Sequence, residues 1–179
     1  MQLIDTFCTK RLIAKRLRAE DYSYLCRMHQ DSRVMATLAG VRSDDETQGF
    51  LDRELEHWER YGFGWWVFRD KVDGQFVGRG GLRNTNVGGN DEVELAYGLM
   101  SEFWGKGLAT EMAEASLKVG FEQLGLADVV CFTMTTNRAS QRVMEKVGFK
   151  YERDIIRADL PHVFYRLTAD DWKRDRVAG

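Results

Sequence analysis

The sequence predicts an α+β fold in which about four helices flank one mixed, mostly antiparallel sheet of about seven strands. Segments with strand and helix patterns follow in the order β-α-α-β-β-β-α-β-α-β-β, unlike the alternation of a doubly wound nucleotide fold. Residues 92–99 (EVELAYGL) alternate large apolar side chains with polar or small ones, as a strand with two different faces does. Residues 1–179 have a length that suits a single domain.

The composition is that of a globular protein with a filled core. Apolar residues make up 44% of the chain and aromatic residues 12%. The net charge of −2 favours neither nucleic acid nor an anionic membrane as a partner. The first ten residues do not have the form of a signal peptide, and no apolar run approaches the length of a membrane span.

The cysteines and histidines indicate no disulfide framework and no metal site. Both sets are scattered along the chain: Cys8, Cys26 and Cys131; His29, His57 and His162. An odd number of isolated cysteines favours reduced thiols and a cytoplasmic location. The histidines lack metal-ligand spacing, so no metal ion is expected.

The first predicted elements are a strand over residues 11–18 and a helix over residues 21–30. Ser43 and Glu46 then have the spacing of a capping box, in which each side chain accepts a hydrogen bond from an otherwise unpaired backbone N–H. The helix that they open is expected to run to about Tyr61 and to end at Gly62.

Three strands follow that helix. An aromatic strand over residues 64–70 turns at Asp73-Gly74 into a partner strand over residues 75–82. Residues 83–91 are rich in Gly and Asn and are predicted to form a loop beside the site, where specificity would vary. Residues 92–99 form the next strand, with Glu94, Ala96 and Gly98 on one face.

The rest of the chain alternates helices and strands. A long helix is predicted over residues 105–124, followed by a strand over 128–135 and a short helix over 139–147 after Asn137. Two antiparallel strands, residues 149–157 and 162–168, complete the sheet.

The segment FWGKGLATEM, residues 103–112, has the form of a phosphate-binding loop. It places two glycines at the start of a helix, where unpaired N–H groups and the helix dipole favour an anion. It is not a Walker A loop, because Gly107 follows the lysine where Ser or Thr is required. It is not a Rossmann fingerprint either, because Thr110 stands where glycine is needed.

This segment resembles the pyrophosphate loop of the GNAT acetyltransferases, whose signature is Q/R-x-x-G-x-G/A. Here it reads from Trp104 to Ala109, with Trp in place of Gln or Arg, as is common in the RimJ/RimL-like branch. The second family element, N-x-x-S-x-x-x-x-x-K-x-G-F, is also present: Asn137, Ser140, Lys146, Gly148 and Phe149. The resemblance extends over nearly the whole chain.

The resemblance implies that acetyl-CoA is the co-substrate. It also implies that the fourth and fifth strands splay apart, so that backbone groups near Leu99 and Met100 are free for the pantetheine arm. The implied cofactor-binding residues are Leu99, Met100, Trp104, Gly105, Lys106, Gly107, Leu108, Ala109, Thr110, Asn137 and Ser140. For Asn137 and Ser140, helix capping is the alternative explanation.

Three residues are candidates for catalysis. Glu94 is the first candidate for the general base, because it shares a strand face with small residues that leave room for a ligand; exposure to solvent is the alternative. Asp159 is the second, because RimL-like relatives carry an acidic residue there. Met144 stands where many family members have a proton-donating Tyr, so Ser140 or a water takes that role. A backbone N–H between Tyr97 and Leu99 is expected to stabilise the oxyanion.

The aromatic residues Trp58, Trp65, Trp66 and Phe103 are candidates for lining an acceptor pocket, although at least two of them are expected in the core.

The predicted activity is acetyl transfer from acetyl-CoA to a primary amine in a ternary complex, by a monomer or a homodimer. The acceptor is a small amine, an amino acid or a protein N-terminus. Two alternatives remain: a non-catalytic acyl-CoA-binding module, and an anion-binding domain that uses the loop for another nucleotide.

Overall fold

The computed structural model describes residues 4–177. Its strands are β1 Thr6–Cys8, β2 Leu12–Arg16, β3 Trp65–Asp70, β4 Phe76–Val87, β5 Asn90–Leu99, β6 Asp128–Met134, β7 Lys150–Arg157 and β8 Leu160–Thr168. Its helices are α1 Tyr22–His29, α2 Ser32–Met35, α3 Asp44–Tyr61, α4 Leu108–Lys118, α5 Arg138–Lys146 and α6 Ala169–Val177. Short 3-10 turns (Ala19–Asp21 and Ser101–Phe103) precede α1 and follow β5, and a π-helical turn (Val119–Gln123) extends α4.

One sheet of eight strands runs through the described residues in the order β1-β2-β3-β4-β5-β6-β8-β7. All neighbouring strands are antiparallel except β5 and β6. The predicted mixed, mostly antiparallel sheet flanked by helices is therefore confirmed.

The splay predicted between the strands over residues 92–99 and 128–135 lies between β5 and β6. These two strands share a single registered pair, Glu94 with Val130, whereas β4 and β5 pair over ten residues. Beyond Glu94 the two strands separate, and the sheet has a gap.

Four segments differ from the sequence-based expectation, which had seven strands and four helices. Residues 83–91 are not a loop: β4 continues to Val87 and turns through Gly88-Gly89 into β5. Both glycines have positive φ (60° and 88°), as a two-residue hairpin turn of type I′ requires. A short strand, β1, and two helices, α2 and α6, were also missed. The helix α6 is anchored by Trp172, which is 2% exposed.

The sheet is covered on both faces. On one face, Leu95 of β5 packs with Leu117 of α4 and Met144 of α5. On the other, Met28 of α1 and Phe50 of α3 pack against Trp65 of β3. The gap between β5 and β6 therefore connects a region under α4 and α5 to one under α1 and α3.

Candidate active site

A cleft of about 1070 Å³ passes through the gap in the sheet. Met100 N donates to Val77 O at 2.9 Å, on the β4 side. Because strand residues alternate in the direction of their backbone groups, the N–H and C=O of Leu99 and Tyr97 are directed away from β4 and toward the gap. The Leu99 carbonyl accepts a hydrogen bond from the Trp104 indole at 3.1 Å. The Met100 N–H and the Leu99 C=O are therefore not free, contrary to the prediction.

The glycine loop lies at one mouth of this cleft. Gly105 and Gly107 have φ of 72° and 76°, a left-handed conformation that glycine adopts without strain. Gly107 is the N-cap of α4 and no side chain caps this helix end, so the first N–H groups of α4 are available to a ligand. Of the eleven predicted cofactor-binding residues, all line the cleft except Met100 and Lys106.

Arg11 fixes the loop to the start of the chain. Its Nη1 donates to the Lys106 carbonyl at 2.7 Å, and its Nε donates to Glu111 in the first turn of α4, also at 2.7 Å. Glu111 further accepts hydrogen bonds from Arg11 N and the Thr9 hydroxyl. These contacts hold the loop backbone and the helix end in one arrangement.

Ser140 lies across the gap from Tyr97. The Tyr97 hydroxyl is 3.0 Å from the Ser140 hydroxyl and donates to the Ser140 carbonyl at 3.2 Å. Burial raises the pKa of Tyr97 well above its usual value, so the phenol keeps its proton. The Asn137 side chain caps α5 by accepting from Ser140 N at 3.1 Å. Met144 is fully buried in the core and does not line the cleft.

Glu94 lies on the opposite side of the sheet from Ser140, within the same cleft. Its side chain is buried, and Oε2 accepts a hydrogen bond from Arg83 Nε at 3.0 Å. Arg83 also donates to Glu54 at 3.2 Å. The Glu94 Oε1 accepts no hydrogen bond from residues 4–177, so this oxygen is open to a ligand or water. The alternative of a solvent-exposed Glu94 is therefore wrong.

Asp159, the second candidate for the general base, does not line the cleft. It lies in the two-residue turn between β7 and β8, where Ala158 and Asp159 both have positive φ (49° and 60°). Its side chain is exposed, and the cleft is lined by its neighbours Ala158 and Leu160 but not by Asp159. A catalytic role for Asp159 stays a prediction that the geometry does not support.

The aromatic candidates divide as expected. Trp65 and Phe103 line the cleft, whereas Trp58 and Trp66 are core residues that are 1% and 0% exposed.

Sequence reasoning missed a set of arginines on the α1/α3 side of the cleft. Arg42, Arg79 and Arg83 approach one another there, and Arg79 is 2% exposed. His29 lies behind Arg79, and its Nε2 is 3.3 Å from Arg79 Nη2. Burial, then the charges of Arg79 and Arg42, lowers the pKa of His29 to about 3. The neutral imidazole accepts from Arg79 through Nε2, which assigns the proton to Nδ1, 3.0 Å from Thr47 Oγ1.

Within residues 4–177 no cluster of three or more His, Cys, Asp or Glu side chains could hold a metal ion. No helix in this part of the chain is both long and apolar enough to cross a membrane.

Comparison with known proteins identifies the family. Residues 11–150 match the family model described as the acetyltransferase (GNAT) domain. The chain is 30% identical over 189 residues to the FsC-acetyl coenzyme A-N(2)-transacetylase of Aspergillus fumigatus, which covers 94% of this chain and 78% of that protein. It superposes on the crystal structure of an acetyltransferase from Agrobacterium tumefaciens with a TM-score of 0.81 and 25% identity, over 93% of this chain and 96% of that one.

A further solved structure shares the fold. The spermidine N-acetyltransferase of Vibrio cholerae, in complex with CoA and spermine, gives a TM-score of 0.75 at 16% identity and covers 90% of this chain and 98% of that one. The family model and the 30% identical relative show that the protein is an acyltransferase of the N-acetyltransferase type. It belongs to the GNAT acetyltransferase family, as the resemblance of its two sequence elements implied.

Proposed function

We propose that the protein transfers the acetyl group of acetyl-CoA to a primary amine, by direct attack while both substrates are bound. The observation that carries this proposal is the position of the glycine loop at the mouth of the gap between β5 and β6. An anion-binding helix end and an unpaired strand edge then lie along one continuous path, which suits a long ligand with phosphates at one end and a reactive group at the other.

The chain's own groups fit coenzyme A along that path. The N–H groups at the start of α4 suit the pyrophosphate, and both neighbouring glycines allow the backbone to approach it closely. The backbone groups of Tyr97 and the N–H of Leu99 can pair with the pantetheine arm in the way a further strand would. Asn137 and Ser140 line the facing wall.

The reaction forms a bond between the amine nitrogen and the acetyl carbon and breaks the C–S bond. We assign Glu94 the role of general base, because its Oε1 is open on the acceptor side of the gap. The proton lost by the amine passes to this oxygen, directly or through a water. An N–H of Tyr97 or Leu99 is placed to stabilise the oxyanion, and one such donor is typically worth about 3 kcal/mol.

The leaving thiolate takes up a proton on the other side of the sheet. Ser140 is the hydroxyl-bearing residue of α5 that lines the cleft. Its hydroxyl is held by a hydrogen bond with the Tyr97 hydroxyl. We propose that Ser140 relays a proton from water to the sulfur, with Tyr97 as its positioning residue. Tyr97 itself is a poor proton donor, because burial raises its pKa well above its usual value.

The acceptor classes remain a small amine, an amino acid or a protein N-terminus. Membership of the RimJ/RimL-like branch stays a prediction, as does the monomeric or homodimeric state. We propose that residues 1–179 act as one domain in the cytoplasm, where the free thiols Cys8, Cys26 and Cys131 stay reduced.

A thiol-release screen over amines, amino acids and N-terminal peptides tests the proposal, with the Gly105→Val variant as the blank for each acceptor. Release that depends on an acceptor and is lost in the variant supports it. Tight binding of acetyl-CoA without release for any acceptor would instead favour a non-catalytic binding module. Binding of ATP or NAD with the same affinity as acetyl-CoA would favour a general anion-binding domain.

A further inference from the structure

Three guanidinium groups share two aromatic rings on the α1/α3 side of the cleft. The Arg42 group lies 5.2 Å from the centre of the Phe50 ring, and the Arg79 group lies 5.2 Å from the same centre. Arg79 and Arg83 also lie over Trp65, at 4.5 Å and 5.1 Å. These three residues, Arg42, Arg79 and Arg83, are referred to below as the arginine cluster.

The carboxylates near the arginine cluster pair directly with only one of its members. Glu54 and Glu94 both pair with Arg83, at 3.2 Å and 3.0 Å. Within residues 4–177, neither Arg42 nor Arg79 has a carboxylate oxygen within 4.0 Å. Arg42 and Arg79 therefore have no directly paired carboxylate, and the three arginines carry one positive charge more than Glu54 and Glu94 together.

Arg79 is the more unusual of the two, because its side chain is buried. Its Nη2 contacts the neutral His29 ring, and its Nε is buried and has no hydrogen-bond partner in the described part of the chain. Burial, then the charges of Arg42 and Arg83, lowers the pKa of Arg79 to about 9, so that the group stays charged at neutral pH. A buried cation without a counterion is strongly unfavourable. A bound anion removes that penalty.

Small residues of β5 lie beside Arg79. Arg79 pairs with Gly98 across the β4–β5 ladder, and Ala96 lies between Gly98 and Glu94 on the same face. A Cβ atom at Gly98 would lie 3.3 Å from Arg79 Nη1 and 2.7 Å from the Met28 methyl group. The absence of a side chain at Gly98 therefore lets the Arg79 guanidinium and the Met28 methyl group lie against the β5 backbone. Arg79 and Glu94 both line the cleft, with Gly98 and Ala96 along the same strand face.

We propose that the arginine cluster binds a carboxylate carried by the acceptor, so that the substrate is an amino acid or a closely related amine with an acid group. The planar guanidinium matches a carboxylate with two parallel hydrogen bonds. With the carboxylate on Arg79 and Arg42, the amine of the same molecule is directed along the strand face toward Glu94. This inference rests on the proposed function, because it assigns the acceptor of that reaction.

Turnover of matched substrate pairs tests the inference. Each amino acid in a panel is compared with its carboxamide, which keeps the amine and the side chain but lacks the negative charge. The panel includes glycine, β-alanine and 4-aminobutyrate to vary the distance between amine and acid.

We expect kcat/KM for the preferred acid to exceed that for its amide at least 10-fold. The amide has the less basic amine, so chemistry alone favours the amide and a preference for the acid reports recognition. Equal or faster turnover of the amide, or a preference for phosphoethanolamine, overturns the proposal.

Variants locate the recognition. Arg42→Gln at the half-exposed position and Arg79→Lys at the buried one are expected to raise KM for the acid at least 10-fold while changing kcat and the KM for the amide little. Arg60→Gln, on the exposed face of α3 outside the cleft, is the control and is expected to change neither. If Arg79→Lys fails to fold, Arg42→Gln still decides the matter. An unchanged KM for the acid in Arg42→Gln contradicts a carboxylate site at the cluster.

A binding measurement separates this inference from the proposed function. Calorimetry compares N-acetylglycine with N-acetylglycinamide, each added to protein saturated with CoA. Binding of the acid at least 10-fold more tightly than the amide supports the carboxylate site, whether or not the protein shows turnover. If no acceptor is turned over, the proposed function fails while the carboxylate site stands. Efficient acetylation of acids and amides alike retains the proposed function and rejects the carboxylate site.

Discussion

The hydroxyl groups of Tyr97 and Ser140 lie 3.0 Å apart across the gap in the sheet, one from β5 and one from α5. Ser140→Ala is expected to lower kcat about 10-fold or more while weakening acetyl-CoA binding much less, within the range of general acid effects. Tyr97→Phe is also expected to lower kcat, by a smaller factor than Ser140→Ala does. Single-turnover kinetics with calorimetry separate the two quantities. Tyr151→Phe, an exposed tyrosine bonded to Asp154, is the matched control.

If Ser140→Ala changes only the affinity for acetyl-CoA, Ser140 is a contact of the pantetheine arm and the thiolate leaves unassisted. Introducing Tyr at Met144 is not expected to restore activity. Met144 is 0% exposed in the core, and a larger side chain there typically costs about 1–3 kcal/mol through overpacking.

The glycine loop gives a prediction with a closely matched control. Gly105 and Gly74 share a φ of 72°, and a Cβ atom at either position would meet no atom within 4 Å. Gly105→Val is expected to abolish acetyl-CoA binding, because a β-branched residue does not adopt this conformation without strain. Gly74→Val, in the β3–β4 turn, carries the same strain and is expected to bind normally. Gly107→Val is also expected to abolish acetyl-CoA binding. Lys106→Ala is expected to lower the affinity for acetyl-CoA only slightly.

Calorimetric titration with acetyl-CoA checks this pair. Parent-like affinity in both Gly105→Val and Gly107→Val would mean that the loop does not bind the cofactor. An equal loss of affinity in Gly74→Val would trace the effect to general destabilisation.

The role of Glu94 as base is tested by Glu94→Gln. The amide keeps the shape of the side chain but cannot accept the proton, so kcat/KM is expected to fall about 10²-fold. Glu56→Gln, at an exposed position on α3, is the control. Retained kcat/KM in Glu94→Gln would contradict this role and assign the proton to water or to Asp159.

His29 makes the stability of the fold depend on pH. Burial and the neighbouring arginines lower its pKa from 6.5 to about 3, so the unfolded chain binds a proton there before the folded one does. The contribution is fully present above pH 6.5 and is lost as pH falls from 6.5 toward 3, at about 1.4 kcal/mol per pH unit. Between pH 6.5 and 5 the free energy of unfolding is expected to fall by about 2 kcal/mol through this residue.

Urea unfolding of the parent and His29→Gln across this range measures the effect as a difference in slope, which removes the contribution of groups common to both. The variant is expected to have the flatter profile. Parallel profiles for the two proteins would show that His29 is protonated with equal ease in the folded and unfolded states.

Local sequence signals predicted much of the fold and the loop, because they act over a few residues. The capping box from Ser43 to Glu46 is present as predicted, with both of its hydrogen bonds. The left-handed glycines of the loop follow from the need for close backbone approach. The Gly88-Gly89 hairpin also has a local signal, but the polar composition of residues 83–91 favours a loop.

The arginine cluster could not be predicted in the same way. Arg79 and Arg83 meet Glu54, His29 and Arg42 only because β4 lies beneath α1 and α3, and no spacing along the chain encodes that contact. The alternation in residues 92–99 places Tyr97 on the same strand face as Leu95 and Leu99. Its hydroxyl reaches Ser140 only because the strand borders the gap. Asp159 was proposed by resemblance alone, and the two-residue turn directs it away from the cleft.

The central claim is that acetyl transfer to an amine takes place in this gap, and mass spectrometry of the reaction tests it most directly. Protein, acetyl-CoA and a preferred amine are incubated together, and acetylated amine and released CoA are counted in the same sample. The account predicts one acetylated amine for each CoA released, with both lost in Gly105→Val. Release of CoA at the same rate with and without the amine, and no gain in amine mass, would contradict it.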